Sequence, residues 1–179
     1  LTVIGLTALP LALVVFGRLP DRGYAFTKML GLLGVSYLFW IAGSLGFTAN
    51  SLGGILMALV LFTGVSFGVY FRFRGDGQSL RQWLRGNVRS ILVTEVLFLV
   101  VFGLWVWVRA QNPAISATEK PMEFAFLNAA SRSPSFPPLD PWLSGYAISY
   151  YYFGYVMSSL LARLAAVPES IAFNLTIAW

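Results

Sequence analysis

Cysteine and histidine are both absent from the 179 residues, and only 11% of the residues are charged. Their absence excludes, within this chain, disulfides, zinc–thiolate and haem–histidine sites and a Ser-His-Asp triad. Any metal would need oxygen ligands, which favours Mg, Mn or Ca. No metal-ligand set is assigned, and the cofactor stays open. A soluble domain carries about 25% charged residues. The shortfall here, with 58% hydrophobic residues and a mean hydropathy of +0.74, makes lipid the solvent for most of the chain.

What is present is a series of long apolar runs. They predict an all-α fold, a polytopic transmembrane helix bundle of about five spans plus the start of a sixth. The expected spans are 1–17, 26–47, 52–71, 88–108 and 146–167, with a sixth beginning at 171. Pro10 falls inside the first, where a kink is tolerated by neighbouring helices. The chain opens on Leu1 with no basic stretch before the first run, and its last run stops after nine residues. It therefore reads as a piece of a longer protein whose first run is a truncated span rather than a signal peptide. Gly64 and Gly68 form a GxxxG pair and Ala42 and Gly46 a small-xxx-small pair, both suited to close helix packing. Three regions follow: 1–108 with four spans and basic loops, 109–145 as a long functional loop, and 146–179 with the fifth span and the start of the sixth.

The net charge of +5 is explained by position. Arg72, Arg74, Arg81, Arg85 and Arg89 crowd one loop against a single acid, Asp76. The positive-inside rule puts the 72–89 loop in the cytoplasm. Alternation then brings Arg18, Arg22, Lys28 and Arg163 to the same side, leaving Arg109, Lys120 and Arg132 outside with Glu119, Glu123 and Asp140. These charges are topology signals of a multi-pass plasma-membrane protein, and a nucleic-acid partner is not needed to explain them. Glu95 stands apart, roughly 9 Å into span four, where an ionisable residue is a functional candidate by default and pairing with a nearby arginine is the plainer reading.

The outer loop holds the remaining chemistry. A short helix is expected from Pro121 to about Arg132, with proline at its first position, acids near its positive end, and Met122, Ala125, Phe126 and Ala129 on one face that suits the membrane interface. Glu119 and Glu123 are four apart and share a face if the helix reaches back that far. Such a pair serves as base and acid or binds a divalent ion; alternatively Glu119 is a helix-start acid and Glu123 a solvated side chain. Lys120 is either an interfacial snorkeller or a phosphate contact. Asp140 before Pro141 matches a helix cap, a role compatible with a substrate contact. Tyr146, Tyr150, Tyr151, Tyr152 and Tyr155 open span five as an aromatic belt. Tyr151, Tyr155, Ser158 and Ala162 also form a stripe facing a cavity or the bundle interior. Asn174-Leu-Thr176 matches a glycosylation acceptor but falls inside a span.

Three ordered stretches carry a resemblance: Glu119-Lys-Pro-Met-Glu-Phe-Ala-Phe-Leu-Asn-Ala, Phe136-Pro-Pro-Leu-Asp-Pro-Trp and Tyr150-Tyr-Tyr-Phe-Gly-Tyr. Together they resemble the YYY-domain family of large multi-spanning membrane proteins of bacteria and archaea, densest from about Arg109 onward and only topological over 1–108. The family has Asp where this chain has Glu123. It is in turn similar to the GT-C class of membrane glycosyltransferases, which use a polyprenyl-phosphate sugar donor and carry an acid near the start of an extracytoplasmic loop. The resemblance implies Glu123 as general base with Glu119 as second candidate. It implies Arg109, Lys120 or Arg132 at the donor phosphate, and Tyr150, Tyr151, Tyr152 and Tyr155 along a lipid or sugar groove. A transporter or non-catalytic scaffold, with Glu95 and the tyrosine stripe lining a path, is the alternative.

Overall fold

The structure is a computed structural model and describes residues 1–74 and 79–179; Asp76 lies outside the described residues. Its helices are α1 (Thr2–Val15), α2 (Thr27–Ser44, preceded by a 3-10 turn at Tyr24–Phe26), α3 (Leu52–Phe73), α4 (Leu80–Gly86), α5 (Val88–Gln111), α6 (Lys120–Arg132), α7 (Phe153–Ala165) and α8 (Glu169–Ala178). Among the described residues there is no β-strand, only a bridge between Leu139 and Ala147.

Among the described residues, three helical stretches are long and apolar enough to cross a membrane: Tyr24–Ser44, Leu52–Phe73 and Val88–Gln111. The expected first span is only the 14-residue α1, about 21 Å long against a hydrocarbon core of about 30 Å. The expected fifth span is not a continuous helix over 146–167. It begins at Phe153, stops at Ala165, and α8 leaves at 116° to α7. Ala166 sits in the left-handed region at φ 52° and Pro168 follows it, and both stop a helix. The pair makes a fourth span only if counted as one. No residue of α5 is buried, as expected for a helix that lipid solvates on every side that protein does not cover.

Packing divides the chain into two compact units. The first comprises Leu1–Val35 and Ala58–Val101. Its core gathers Leu9, Leu13, Tyr24, Tyr70 and Trp83. Asp21 opens the 3-10 turn by accepting from the N–H groups of Gly23 and Ala25, both at 3.0 Å. Glycine sets how closely the helices approach: a Cβ on Gly31 would lie 2.5 Å from the Ile4 carbonyl, and one on Gly34 would lie 2.2 Å from the Phe62 ring. A Cβ on Gly64 or Gly68, the expected packing pair, would meet nothing within 4 Å among the described residues. Pro10 is accommodated without breaking α1; next to it, Ser66 Oγ accepts from the Leu11 N–H at 3.1 Å. Lys28 is buried and pairs with Glu95, which also accepts from the Tyr24 hydroxyl at 2.9 Å and the Thr2 hydroxyl at 3.4 Å. Lys28 is thus an ion-pair partner, and Glu95 is paired with a lysine rather than an arginine.

The second unit comprises Ser36–Met57 and Phe102–Trp179. Here Gly46, at φ 77°, ends α2: the Gly46 N–H reaches Gly43 O at 3.3 Å and the Phe47 N–H reaches Ala42 O at 2.9 Å, a left-handed glycine cap. Gly46 therefore closes a helix rather than packing one. Gly43 is the contact glycine, where a Cβ would lie 2.7 Å from the ring of Phe136, which stands edge-on to Phe39 at 5.2 Å. Asn50 ties the α2–α3 turn to the segment after α6. Its Nδ2 donates to Ala130 O and Ser133 O, each at 2.7 Å, and its N–H to Pro134 O at 2.8 Å. Arg163, at the end of α7, donates to Asn50 O at 2.6 Å and to Ser131 O. Arg163 and the 48–51 turn therefore touch, whereas alternation of the expected spans puts them on opposite sides of the membrane. By itself α7 has only 13 residues, about 20 Å of helix.

Candidate functional site

Helix α6 starts where Pro121 permits and carries Glu123 in its first turn. The Glu123 N–H bonds Glu119 O at 2.9 Å, so one helical turn separates the two acids. After α6 the chain folds back on itself. Ser133 Oγ accepts from the Leu139 N–H at 2.8 Å, the Asp140 N–H reaches Tyr146 O at 2.8 Å, and the Ile148 N–H reaches Pro138 O at 2.9 Å. Asp140 Oδ1 accepts from the N–H groups of Trp142 at 2.8 Å and Leu143 at 2.9 Å. These are cap-like bonds, but they close a turn, and no helix starts at Pro141.

The fold-back delivers the tyrosines to α6. Buried Phe126 stacks on Tyr150 at 5.6 Å and lies 5.7 Å from Tyr155 and 5.4 Å, edge-on, from Trp142. The aromatic face of α6 therefore holds the start of α7 in place. Farther along, the Trp40 Nε1–H donates to the Tyr152 hydroxyl at 2.9 Å, and Trp40 meets Phe153 edge-on at 5.8 Å.

Between α6, α7 and α8 lies a cavity of about 340 Å³. Its walls are apolar, chiefly Leu127, Met157, Phe173 and Trp179, with Glu123, Tyr155, Ser158 and Thr176 supplying oxygen. The Ser158 hydroxyl is committed to Gly154 O at 2.9 Å. Glu123 is half-buried, and among the described residues its carboxylate has no hydrogen-bond or ion-pair partner. A carboxylate in such surroundings can accept a proton or orient a hydroxyl on a ligand.

The other expected site residues do not converge there. Tyr150, Tyr151 and Tyr152 line a second groove of about 420 Å³ with Tyr37 and Trp40. It adjoins the first through the shared Gly154. Arg132 and Asp140 line a third, of about 500 Å³, on the Pro121–Phe124 side of α6. Arg109 lines a fourth, of about 380 Å³. Lys120 and Glu119 line none of these, and Glu119 is exposed. Tyr151 precedes α7, is 81% exposed, and so drops out of the expected helical stripe. Of that stripe, Tyr155 and Ser158 reach the cavity while Ala162 is buried beyond it.

Sequence reasoning missed Phe126 as a hub, Asn50 as a staple, and Thr176 and Trp179 as cavity walls. Phe126 was visible as one of a row of apolar residues on α6, but its partners Trp142, Tyr150 and Tyr155, beyond the end of that helix, were not. Asn174 is half-buried and bonded to Arg109. No group of three or more Asp, Glu, His or Cys side chains gathers among the described residues. The acids of α6 therefore do not make an all-protein metal cage, although one or two carboxylates beside a bound phosphate are a usual setting for Mg.

No curated protein and no solved structure matches the chain. A family model does, over residues 35–179, which takes in the α2–α3 turn, α6, the fold-back and the bent α7–α8 pair. The chain belongs to that family, the uncharacterized membrane proteins of DUF2298.

Proposed function

We propose that this chain forms part of a membrane glycosyltransferase of GT-C type, with Glu123 as the base. The observation that carries the reading is the unpaired Glu123 carboxylate in a cavity whose walls are otherwise mostly apolar. The acceptor hydroxyl gives its proton to a Glu123 carboxylate oxygen, and its oxygen bonds to the anomeric carbon of the sugar. The bond from that carbon to the donor phosphate breaks, and the polyprenyl phosphate leaves with the electron pair. The groove of Tyr150, Tyr151 and Tyr152, which shares Gly154 with the cavity as a lining residue, supplies an aromatic track for sugar or prenyl chain. Lys120 and Arg132 stay as candidates for the donor phosphate, Glu119 as a second acid and Asp140 as a substrate contact. A divalent ion such as Mg or Mn would arrive with that phosphate. The resemblance to the YYY-domain family supports this reading, as does the GT-C layout of a span, an acid-bearing loop with an interfacial helix, and further spans. In it the 72–89 loop is cytoplasmic, and the 48–51 turn, the 109–145 loop and Arg163 face away from the cytoplasm of a plasma membrane.

A transporter or scaffold is the second reading, and the Lys28–Glu95 pair among apolar helices is the observation that favours it. Against it, the polar stripe of α7 ends at Ser158. The test uses the full-length protein in nanodiscs with a polyprenyl-phosphate sugar. Wild type is expected to bind the donor saturably and turn it over. Glu123→Gln is expected to bind it and lose turnover by about 10²- to 10⁴-fold. Full turnover in Glu123→Gln removes the base assignment, and no binding across several donor lipids moves the weight to transport.

A further inference from the structure

We propose that the groove at Arg109 binds the phosphate of a membrane phospholipid, at a site separate from the Glu123 cavity and independent of the glycosyltransfer reading. Arg109 lies in the last turn of α5, a helix long and apolar enough to cross a bilayer. Trp105 and Trp107, one turn before it, are at least half exposed. Tryptophans at the end of a span mark the headgroup level, which puts Arg109 at the depth of lipid phosphodiesters.

The guanidinium is held but not neutralised. Of its N–H donors, Nη2 reaches Asn174 Oδ1, while Nε is buried and makes no hydrogen bond among the described residues. Asn174 is fixed in turn, donating to Pro113 O at 3.2 Å and Ser170 O at 3.1 Å. No carboxylate lies within ion-pair distance of Arg109 among the described residues. A cation pinned in one orientation, with donors to spare and no counter-charge, suits an oxyanion. The rest of the groove, about 380 Å³, suits the glycerol and first acyl carbons: Val106, Ile115 and Ile171 wall it, and Ser170 adds a hydroxyl in the first turn of α8. Glu169, the acid of that turn, does not line it.

The site is distinct because α8 stands between the two hollows. Ser170, Ile171 and Asn174 face Arg109, whereas Phe173, Thr176 and Ile177 face Glu123. Arg109 is therefore removed from the donor-phosphate candidates and assigned to a resident lipid.

The test is lipid binding to the purified full-length protein in neutral-detergent micelles, read by native mass spectrometry. Phosphatidylglycerol is titrated against diacylglycerol of the same chains and against inorganic phosphate. Saturable binding of phosphatidylglycerol alone is expected. Arg109→Gln should weaken it about tenfold, the value of a lost charge-assisted hydrogen bond. Asn174→Asp keeps an acceptor on Nη2 but adds a counter-charge, so it should weaken binding similarly while leaving the circular dichroism unchanged. It carries the test if Arg109→Gln fails to fold. Arg18→Gln, an exposed arginine outside the groove, should leave the affinity unchanged. Unchanged affinity in Asn174→Asp overturns the proposal, as does equal binding of diacylglycerol. Full competition by inorganic phosphate overturns the lipid assignment in favour of a soluble anion.

Discussion

Lys28 shows how much a single residue's surroundings decide. On sequence it belongs with Arg18 and Arg22 as a topology signal, yet it is buried against Glu95, and its ammonium lies 4.8 Å above the ring of Phe98. Desolvating both charges is costly, and removing one partner strands the other. Glu95→Ala should therefore destabilise the protein by about 3 kcal/mol, the low end of the range for a broken buried pair, because a fifth of the Glu95 side chain stays exposed. Joint replacement, Lys28→Met with Glu95→Leu, should recover most of that loss. Thermal midpoints of the purified variants in one detergent check both outcomes, and a double variant no better than Glu95→Ala would show that the pair does more than neutralise itself. The existence of Glu95 as an outlier was legible in the sequence. Its partner was not, because Lys28 lies 67 positions away and on a different helix.

At the scale of helices, small residues act only where a neighbour presses against them. Gly34 and Gly64 look alike in sequence. A methyl on Gly34 would collide with Phe62, and one on Gly64 would meet nothing within 4 Å among the described residues. Gly34→Ala should cost about 1–3 kcal/mol by overpacking, and Gly64→Ala should be neutral or stabilise by up to about 1 kcal/mol through helix propensity. A thermal melt separates them, and equal effects would argue against this packing. The three long apolar helices were legible because hydropathy and length suffice to define them. The break of α7 was half-legible: Pro168 announced the turn after it, but nothing local announced its late start at Phe153. There the tyrosines are held by Phe126 and Trp40 from elsewhere in the chain rather than by helical bonds. Likewise, the acids of α6 could be read as neighbours one turn apart. That Glu123 rather than Glu119 lines the cavity between α6, α7 and α8 depends on the last two helices.

For the whole molecule, α7 decides how many times the chain crosses the membrane. Arg163 touches the 48–51 turn, which predicts that α7 finishes on the side from which that turn projects. The chain has no native cysteine, which makes the prediction direct. Ser51→Cys and Ala166→Cys should both react with a membrane-impermeant maleimide from the same face of intact cells or oriented vesicles. Labelling from opposite faces would contradict the Arg163–Asn50 contact. Both ends of α7 are tied to the α2–α3 hairpin, by Trp40 to Tyr152 and by Asn50 to Arg163, across separations of 112 and 113 positions. This has a consequence during biosynthesis. At roughly 5–20 residues per second, roughly 6–23 seconds pass between the emergence of Asn50 and that of Arg163. Throughout that interval the Asn50 carbonyl must be satisfied by water or by a chaperoning partner, and α7 has no hairpin contacts to direct it. The hairpin is thus a template that waits for its last strap, and the step that fits the strap is the slow, non-local one on which correct insertion of the later half depends.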